Sequence, residues 1–399
     1  MKITVKKIFS CIALLSAVNV FALETGGLIN NDSKFANVEK DGSLKIDQKN
    51  AINLWLRTPL TQDGKSYFTA EGAFKSEYDA SIADDDDKLK LSLDLNLFKL
   101  VLHKELDAGE LLLSAGRFFN ADLSGLVYTQ NGDGLKFTAK LPKVSVSLFG
   151  AYTGLLNAKN ITILDREGAH PDLADKSKTL YVLANKYLIG ALTVSLPNLF
   201  ASQTISAEGF LAQSFESRKI NRYYGTLALN GPLFPKVFYN LSSTFGFSKE
   251  DEKDMEKSNL SQASIVVYPG VKSMAIALNG LYASGDQGSF SGFRGFTSGT
   301  AVNSTKEAEY SALTKAGLAF SIKPLPNILL YTNGDLVLDA FESIKYAGLQ
   351  YSLGVNWQVL SDFSVGASFG QYIAKDDPEI IGRIGDSKTQ IKINAAIAF

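Results

Sequence analysis

The chain has 399 residues, 45% hydrophobic and 11% aromatic, with 33 glycines, only 10 prolines and a formal charge of −1. That balance excludes the basic surface a nucleic-acid partner requires, and no run beyond residue 22 is long and apolar enough for a transmembrane helix. One cysteine, Cys11, and two histidines, His103 and His170, leave little material for thiol, metal or acid–base chemistry.

Residues 1–22 read as a secretory signal peptide. Lys2, Lys6 and Lys7 precede an apolar run from Ile8 to Phe21, and Val20-Phe21-Ala22 places small residues at the minus-three and minus-one positions of a cleavage site. A retained anchor is the alternative, but the run is short and lacks a charged stop-transfer flank. Cleavage after Ala22 removes three lysines and no acid, so the charge of −1 becomes about −4, and Cys11 is lost with the leader.

From residue 23 to 399 the sequence alternates. Strands are expected at 24–36, 43–58, 66–79, 88–102, 109–119, 134–142, 144–153, 178–198, 204–216, 221–231, 236–248, 260–268, 273–285, 310–323, 327–339, 344–358, 363–374 and 387–399, each within about 2–4 residues. The clearest is Leu89, Leu91, Leu93, Leu95 and Leu97 against Lys90, Ser92, Asp94 and Asn96. Alternation alone also suits a soluble sandwich, but the connections separate the two. Short turns such as Thr61–Lys65, Asp107-Ala108-Gly109 and Pro324–Asn327 alternate with long connections at 154–177, 249–259, 286–309 and 375–386. Short turns at one rim and long loops at the other define a transmembrane antiparallel up-and-down β-barrel. Eighteen strands are expected, or sixteen if a pair of short strands fails. Lys178–Pro197 is read as one long strand, because two would move every later long loop to the other rim.

Opposite the apolar stripes stand Lys45, Asp47, Lys49, Arg57, Glu71, Lys75, Glu77, Lys90, Asp94, Lys136, Lys140, Glu208, Arg222, Lys315, Asp335 and Lys392. Charges of both signs cannot sit in a dry core without partners, and a barrel of this size leaves an aqueous channel. They are therefore pore-lining candidates, or charges that brace and solvate the lumen. Ten bases against six acids imply a slight anion preference. Two segments are candidates to fold inward, with surface loops the alternative: 117–132, where Arg117 and Asp122 would flank the eyelet, and the Gly- and Phe-rich 284–300.

The last strand, Ile391 to Phe399, has Ile391, Ile393, Ala395, Ile397 and Phe399 on one face and ends on an aromatic residue. This ending resembles that of bacterial outer-membrane β-barrels, in which it is the assembly signal, and the inward-folding candidate at 117–132 resembles the constriction of general porins. The mature chain as a whole resembles a porin-like outer-membrane barrel. Its composition and the Gly-Arg-Phe and Asp-Gly-Leu-Lys-Phe segments are most like spirochaete single-barrel proteins. The resemblance implies passive diffusion of small solutes, contact with outer-membrane lipid and with the barrel-assembly machinery, both termini in the periplasm, and long loops outside the cell. Monomer and trimer stay open.

Two rivals remain. A fatty-acid-type transporter would have about fourteen strands and an N-terminal plug, and an adhesin or structural barrel would act through its long loops. No enzyme, cofactor or metal is expected. His103 has no serine cluster nearby, and Asp84–Asp87 lacks the ligand spacing and central glycine of a Ca²⁺ loop.

Overall fold

Each alternating segment becomes a strand in the computed structural model, which describes residues 23–38, 43–81, 84–161, 163–164, 179–216, 220–250, 254–286, 291–297 and 311–399. The expected signal peptide, His170 and most of the longest loop lie outside the described residues. The strands are β1 (Glu24–Val38), β2 (Ser43–Pro59), β3 (Tyr67–Ser81), β4 (Asp84–Leu106), β5 (Gly109–Ala121), β6 (Thr129–Lys140), β7 (Ser145–Tyr152), β8 (Tyr187–Leu196) and β9 (Thr204–Ser214). The second half comprises β10 (Ile220–Phe234), β11 (Val237–Glu250), β12 (Glu256–Val267), β13 (Ala275–Ala283), β14 (Leu313–Leu325), β15 (Ile328–Asp339), β16 (Lys345–Gln358), β17 (Phe363–Ala374) and β18 (Lys388–Ala398). A short helix, α1 (Pro378–Ile384), lies between β17 and β18.

Every strand pairs antiparallel with its sequence neighbours, and β1 pairs with β18, giving a closed 18-strand barrel. Closure leaves no sheet edge to be capped. The seam is exact to the last residue: Phe399 N–H donates to the Gly27 carbonyl at 3.0 Å, and Gly27 N–H returns the bond at 2.8 Å. Because side chains alternate, the two faces have opposite chemistry. Ile29, Ile52, Leu54, Phe74, Leu93, Ile391, Ile393, Ile397 and Phe399 are exposed on the outer face, while Ala36, Asn53, Ala73 and Gln390 are buried on the inner one.

The eighteen-strand expectation holds, with two corrections. First, Leu97 does not share a face with Leu95. Glu71 pairs with Leu97 and Gly72 with Leu95, so Asn96 is the extra residue of a β-bulge, and one extra residue reverses every later side chain. Leu97 packs inward against the buried cluster, Lys99 lies 5.2 Å from the Phe118 ring centre, and Phe98 turns outward to meet Phe68 edge-on at 5.1 Å. Phe98→Arg is therefore expected to cost about 2–4 kcal/mol in a barrel refolded into lipid. Under unbroken alternation the same change would be tolerated, and a neutral result would remove the bulge. Second, the segment 178–198 is not one strand. Only Tyr187–Leu196 is β8; residues 182–186 extend its pairing with the β7 side irregularly, through the Asn157–Leu183 bridge, and Leu180 bonds to Leu93 of β4.

Candidate functional site

The β5–β6 hairpin leaves the wall at a glycine. β4–β5 pairing stops at Phe98–Arg117, where Gly116 adopts φ 112° and a Cβ would lie 2.0 Å from the Phe98 carbonyl oxygen. Beyond it the tip of the hairpin folds into the lumen. The gap in the wall is covered by an extension of the next hairpin. Residues 153–158 and 182–187 continue the β7–β8 ladder (Ala158 N–H to Val182 O 2.7 Å, Ala184 N–H to Leu156 O 3.0 Å), and Leu180 O accepts from Leu93 N–H of β4 at 3.0 Å.

Arg117 closes this joint. Its Nε and Nη2 each donate to Asp133 at 2.7 Å, Nη1 donates to Leu95 O at 3.2 Å and Tyr181 Oη at 3.1 Å, and Nη2 also reaches Leu155 O at 2.8 Å. With every nitrogen engaged and only 7% exposed, the guanidinium ties hairpin, wall and cover together, and it also lines a cleft with Asp94 and Asn96. Asp122 is likewise turned into the chain: Oδ1 accepts from Val127 N–H at 3.0 Å and Tyr128 N–H at 2.8 Å, and Oδ2 from Ser124 N–H at 2.8 Å. It shapes the tip. Glu208 then ties the tip to the wall, accepting from Leu123 N–H at 2.9 Å and Thr193 Oγ1 at 2.7 Å.

A second segment meets this tip. Phe296 and Thr297 N–H both donate to Val127 O, at 2.8 and 3.0 Å, Arg222 Nη1 donates to Gly295 O at 2.7 Å, and Tyr224 Oη to Arg294 O at 2.7 Å. Phe293 and Phe296 are fully buried, in an aromatic cluster whose ring centres lie 5.0 Å (Tyr187–Phe296), 5.6 Å (Tyr128–Phe210) and 6.1 Å (Tyr224–Phe293) apart. The cluster continues through Leu260, Leu313, Val337 and Tyr372 to Ile380 and Ile384 of α1. That helix is capped by Asp377 and held by Arg383, which bonds Asp339 and lies 5.0 Å from the Phe341 ring centre. An apolar cluster thus crosses the lumen from β5 to α1, while a polar cleft of about 260 Å³ beside Asn240, Gln262, Asn279 and Lys315 remains on the β11–β14 wall.

The opposite wall stays polar. Along β1–β4, Lys49 pairs with Glu77 at 2.7 Å, Lys90 with Asp79 at 3.3 Å and Lys75 with Asp94 at 3.8 Å, and Asn53 donates to Asn30 while Asn96 donates to Asn53 and Glu71. Two clefts run along this wall, of about 310 Å³ beside Asp32, Lys49, Glu77 and Lys90 and about 240 Å³ beside Asp94, Asn96 and Phe119. They share Lys75, Asn160 and Ile161. The loop 157–160 enters here: Asn157 Nδ2 donates to Leu93 O at 3.0 Å, and Lys159 Nζ to Leu91 O at 3.0 Å. Burial, then the nearby Lys90 ammonium, lowers the pKa of Lys159. Asp47, Glu77 and Asp79 offer carboxylate oxygens within 4.8 Å of one another, and Lys49 and Lys90 supply their counter-charges.

The remaining candidates disperse. Lys315 Nζ lies 3.3 Å from Gln350 and is buried, Lys136 donates to Asn120 at 2.6 Å, and Asp335 accepts from Asn333 at 2.9 Å. Arg57 stacks over Tyr67 at 4.3 Å and Lys140 pairs with Glu110 at 2.7 Å near the short-turn rim. Lys45 and Lys392 occupy inward positions on β2 and β18, at some distance along the wall from the two clefts. Sequence reasoning passed over Asp133, Tyr181, Asn157, Lys159 and Asn160. Tyr181 falls in the expected strand 178–198, and Asn157, Lys159 and Asn160 in the long connection 154–177, which has no period.

A wide antiparallel barrel narrowed by inward-folded segments is the architecture of outer-membrane porins. The chain is similar in fold to Pseudomonas aeruginosa OccK2 (OpdF), solved in complex with glucuronate, with a TM-score of 0.60 at 12% identity over 94% of this chain and 98% of that one. Acinetobacter baumannii OccAB4 gives 0.58 at 12% identity over 96% and 99%, and Pseudomonas aeruginosa OccK5 (OpdH) 0.57 at 11% over 94% and 98%. No protein-family model and no curated protein matches the chain.

Proposed function

We propose that the protein is an outer-membrane porin-like channel for passive diffusion of small hydrophilic solutes. The observation that carries this reading is the charged inner wall along β1–β4, with two clefts beside the apolar cluster that narrows the lumen. Lys49, Lys75, Lys90, Arg117 and Lys159 line its two clefts with Asp32, Glu77 and Asp94, a cationic excess within the clefts that favours anions, and a low-dielectric wall focuses that field. In planar bilayers the purified barrel should give conductance steps, and Lys75→Glu with Lys90→Glu should move its reversal potential toward cations. A folded barrel that never conducts would leave the adhesin reading, acting through the long loops, in its place. The fatty-acid-type transporter loses ground, because the barrel has eighteen strands and not the fourteen or so it needs.

The same reading covers 1–22 as the leader, 23–399 as the single barrel domain, periplasmic termini and extracellular long loops. The spirochaete-type affinity rests on composition and two short segments, whereas the structural neighbours come from Pseudomonas and Acinetobacter. Phe399 is taken as the signal for the assembly machinery. Deleting it should sharply lower the amount of barrel recovered in outer membranes while the cleaved leader is still produced. An unchanged yield would separate Phe399 from assembly.

A further inference from the structure

The outer face breaks its chemistry along β1–β3, as it also does nearer the long-loop rim at Ser243, Asn259 and Ser261 of β11–β12. Counting up the seam from the short-turn rim, the outward positions read Gly27 beside Phe399 and Leu54, Ile29 beside Ile397 and Ile52, then Asn31 beside Ala395 and Asn50, Ser33 beside Ile393 and Gln48, and finally Phe35 beside Ile391 and Ile46. Successive rungs are two residues apart, about 6.6 Å along the strand and about 5 Å in height for a strand tilted by roughly 45°. Asn31 therefore sits about 10 Å above Phe399, in the middle of an apolar belt about 25 Å tall. Apolar rungs lie above and below it.

The patch is built as a row. Ser33 Oγ donates to Asn31 Oδ1 at 3.2 Å, Asn31 Nδ2 to Asn50 Oδ1 at 2.6 Å, and Asn50 Nδ2 reaches Ser76 Oγ at 3.5 Å. These bonds orient two carboxamides side by side and leave each Nδ2 a second N–H directed away from the row. In hydrocarbon such groups are costly, and between membrane segments they join surfaces by hydrogen bonding. They lie too deep for lipid head groups or saccharide. A row with both donors and acceptors is complementary to itself, and self-complementary patches meet across a two-fold axis.

We propose that this β1–β3 face is the contact of a homodimer with its two-fold axis along the membrane normal, placing Asn31 and Asn50 of each copy against those of the other. The inference rests on the membrane-spanning reading, which the conductance and Phe98→Arg experiments test separately. Full-length barrel carrying Cys11→Ser and Asn50→Cys should cross-link to a dimer in outer membranes under mild oxidation. Leu227→Cys, also at an exposed position but on β10, should not. Sedimentation in detergent should find a dimer for the unaltered protein and a monomer for Asn31→Leu with Asn50→Leu, with heat-modifiable gel mobility confirming that the variant is folded. A monomeric unaltered barrel, equal cross-linking from both cysteines, or capture of a different protein by Asn50→Cys would each overturn the proposal.

Discussion

Arg117→Ala is expected to lower the stability of the refolded barrel by about 3–5 kcal/mol, the range found when one partner of a buried ion pair is removed, read as a shift in its urea midpoint. The loss strands Asp133, whose side chain is only 20% exposed, and takes the guanidinium away from Asp94, 3.9 Å from Arg117 in the intact joint. It also frees the Leu95 and Leu155 carbonyls and the Tyr181 hydroxyl at once. Arg117→Lys should recover only part of this, since an ammonium cannot grip both Asp133 oxygens and still reach two carbonyls in different directions. Arg117→Met combined with Asp133→Leu should cost less than Arg117→Ala alone, because no charge is then left unpaired. An Arg117→Glu barrel of normal stability and altered ion preference would instead make Arg117 a free pore residue, as its sequence context suggests.

That contrast marks where the sequence stops being legible. Eighteen strands and their rims follow from period two and turn chemistry, since each strand's pattern is local and barrel closure adds only the β1–β18 pairing. The bulge at Asn96 is invisible because Leu95-Asn96-Leu97 continues the alternation, and only pairing with Glu71 and Gly72 reveals the extra residue. Arg117 follows a glycine at a strand end, and an acid, Asp122, and another glycine follow it, a signal that a pore residue and a staple share. What distinguishes them is Asp133, Leu155 and Tyr181, which arrive from 16, 38 and 64 residues away. Broken alternation marks 117–132 as an inward-folding segment, and interleaved Gly and Phe mark 284–300. Their meeting at Val127 is a tertiary fact with no local trace.

Replacing 291–297 by a flexible Gly/Ser segment should raise single-channel conductance, and Phe296→Ala should do so to a smaller degree while costing about 3–5 kcal/mol. Phe296 contacts Tyr128, Tyr187 and Phe210 and its N–H holds Val127, so its ring fixes the second segment against the tip of the first. Removing the whole segment also releases Arg222 and Tyr224 from Gly295 and Arg294, which leaves water in place of the plug between β8 and β12. Ions would then have a route far from the β1–β4 wall. At 0.1 M salt the screening length is about 10 Å, so in the widened barrel Lys75→Glu should shift the reversal potential less than it does in the intact one. If conductance stays the same after the replacement, the aromatic plug does not limit the cross-section. If conductance rises but Lys75→Glu retains its full effect, the charged wall controls selectivity by direct contact with the solute and not through the narrowness the plug imposes.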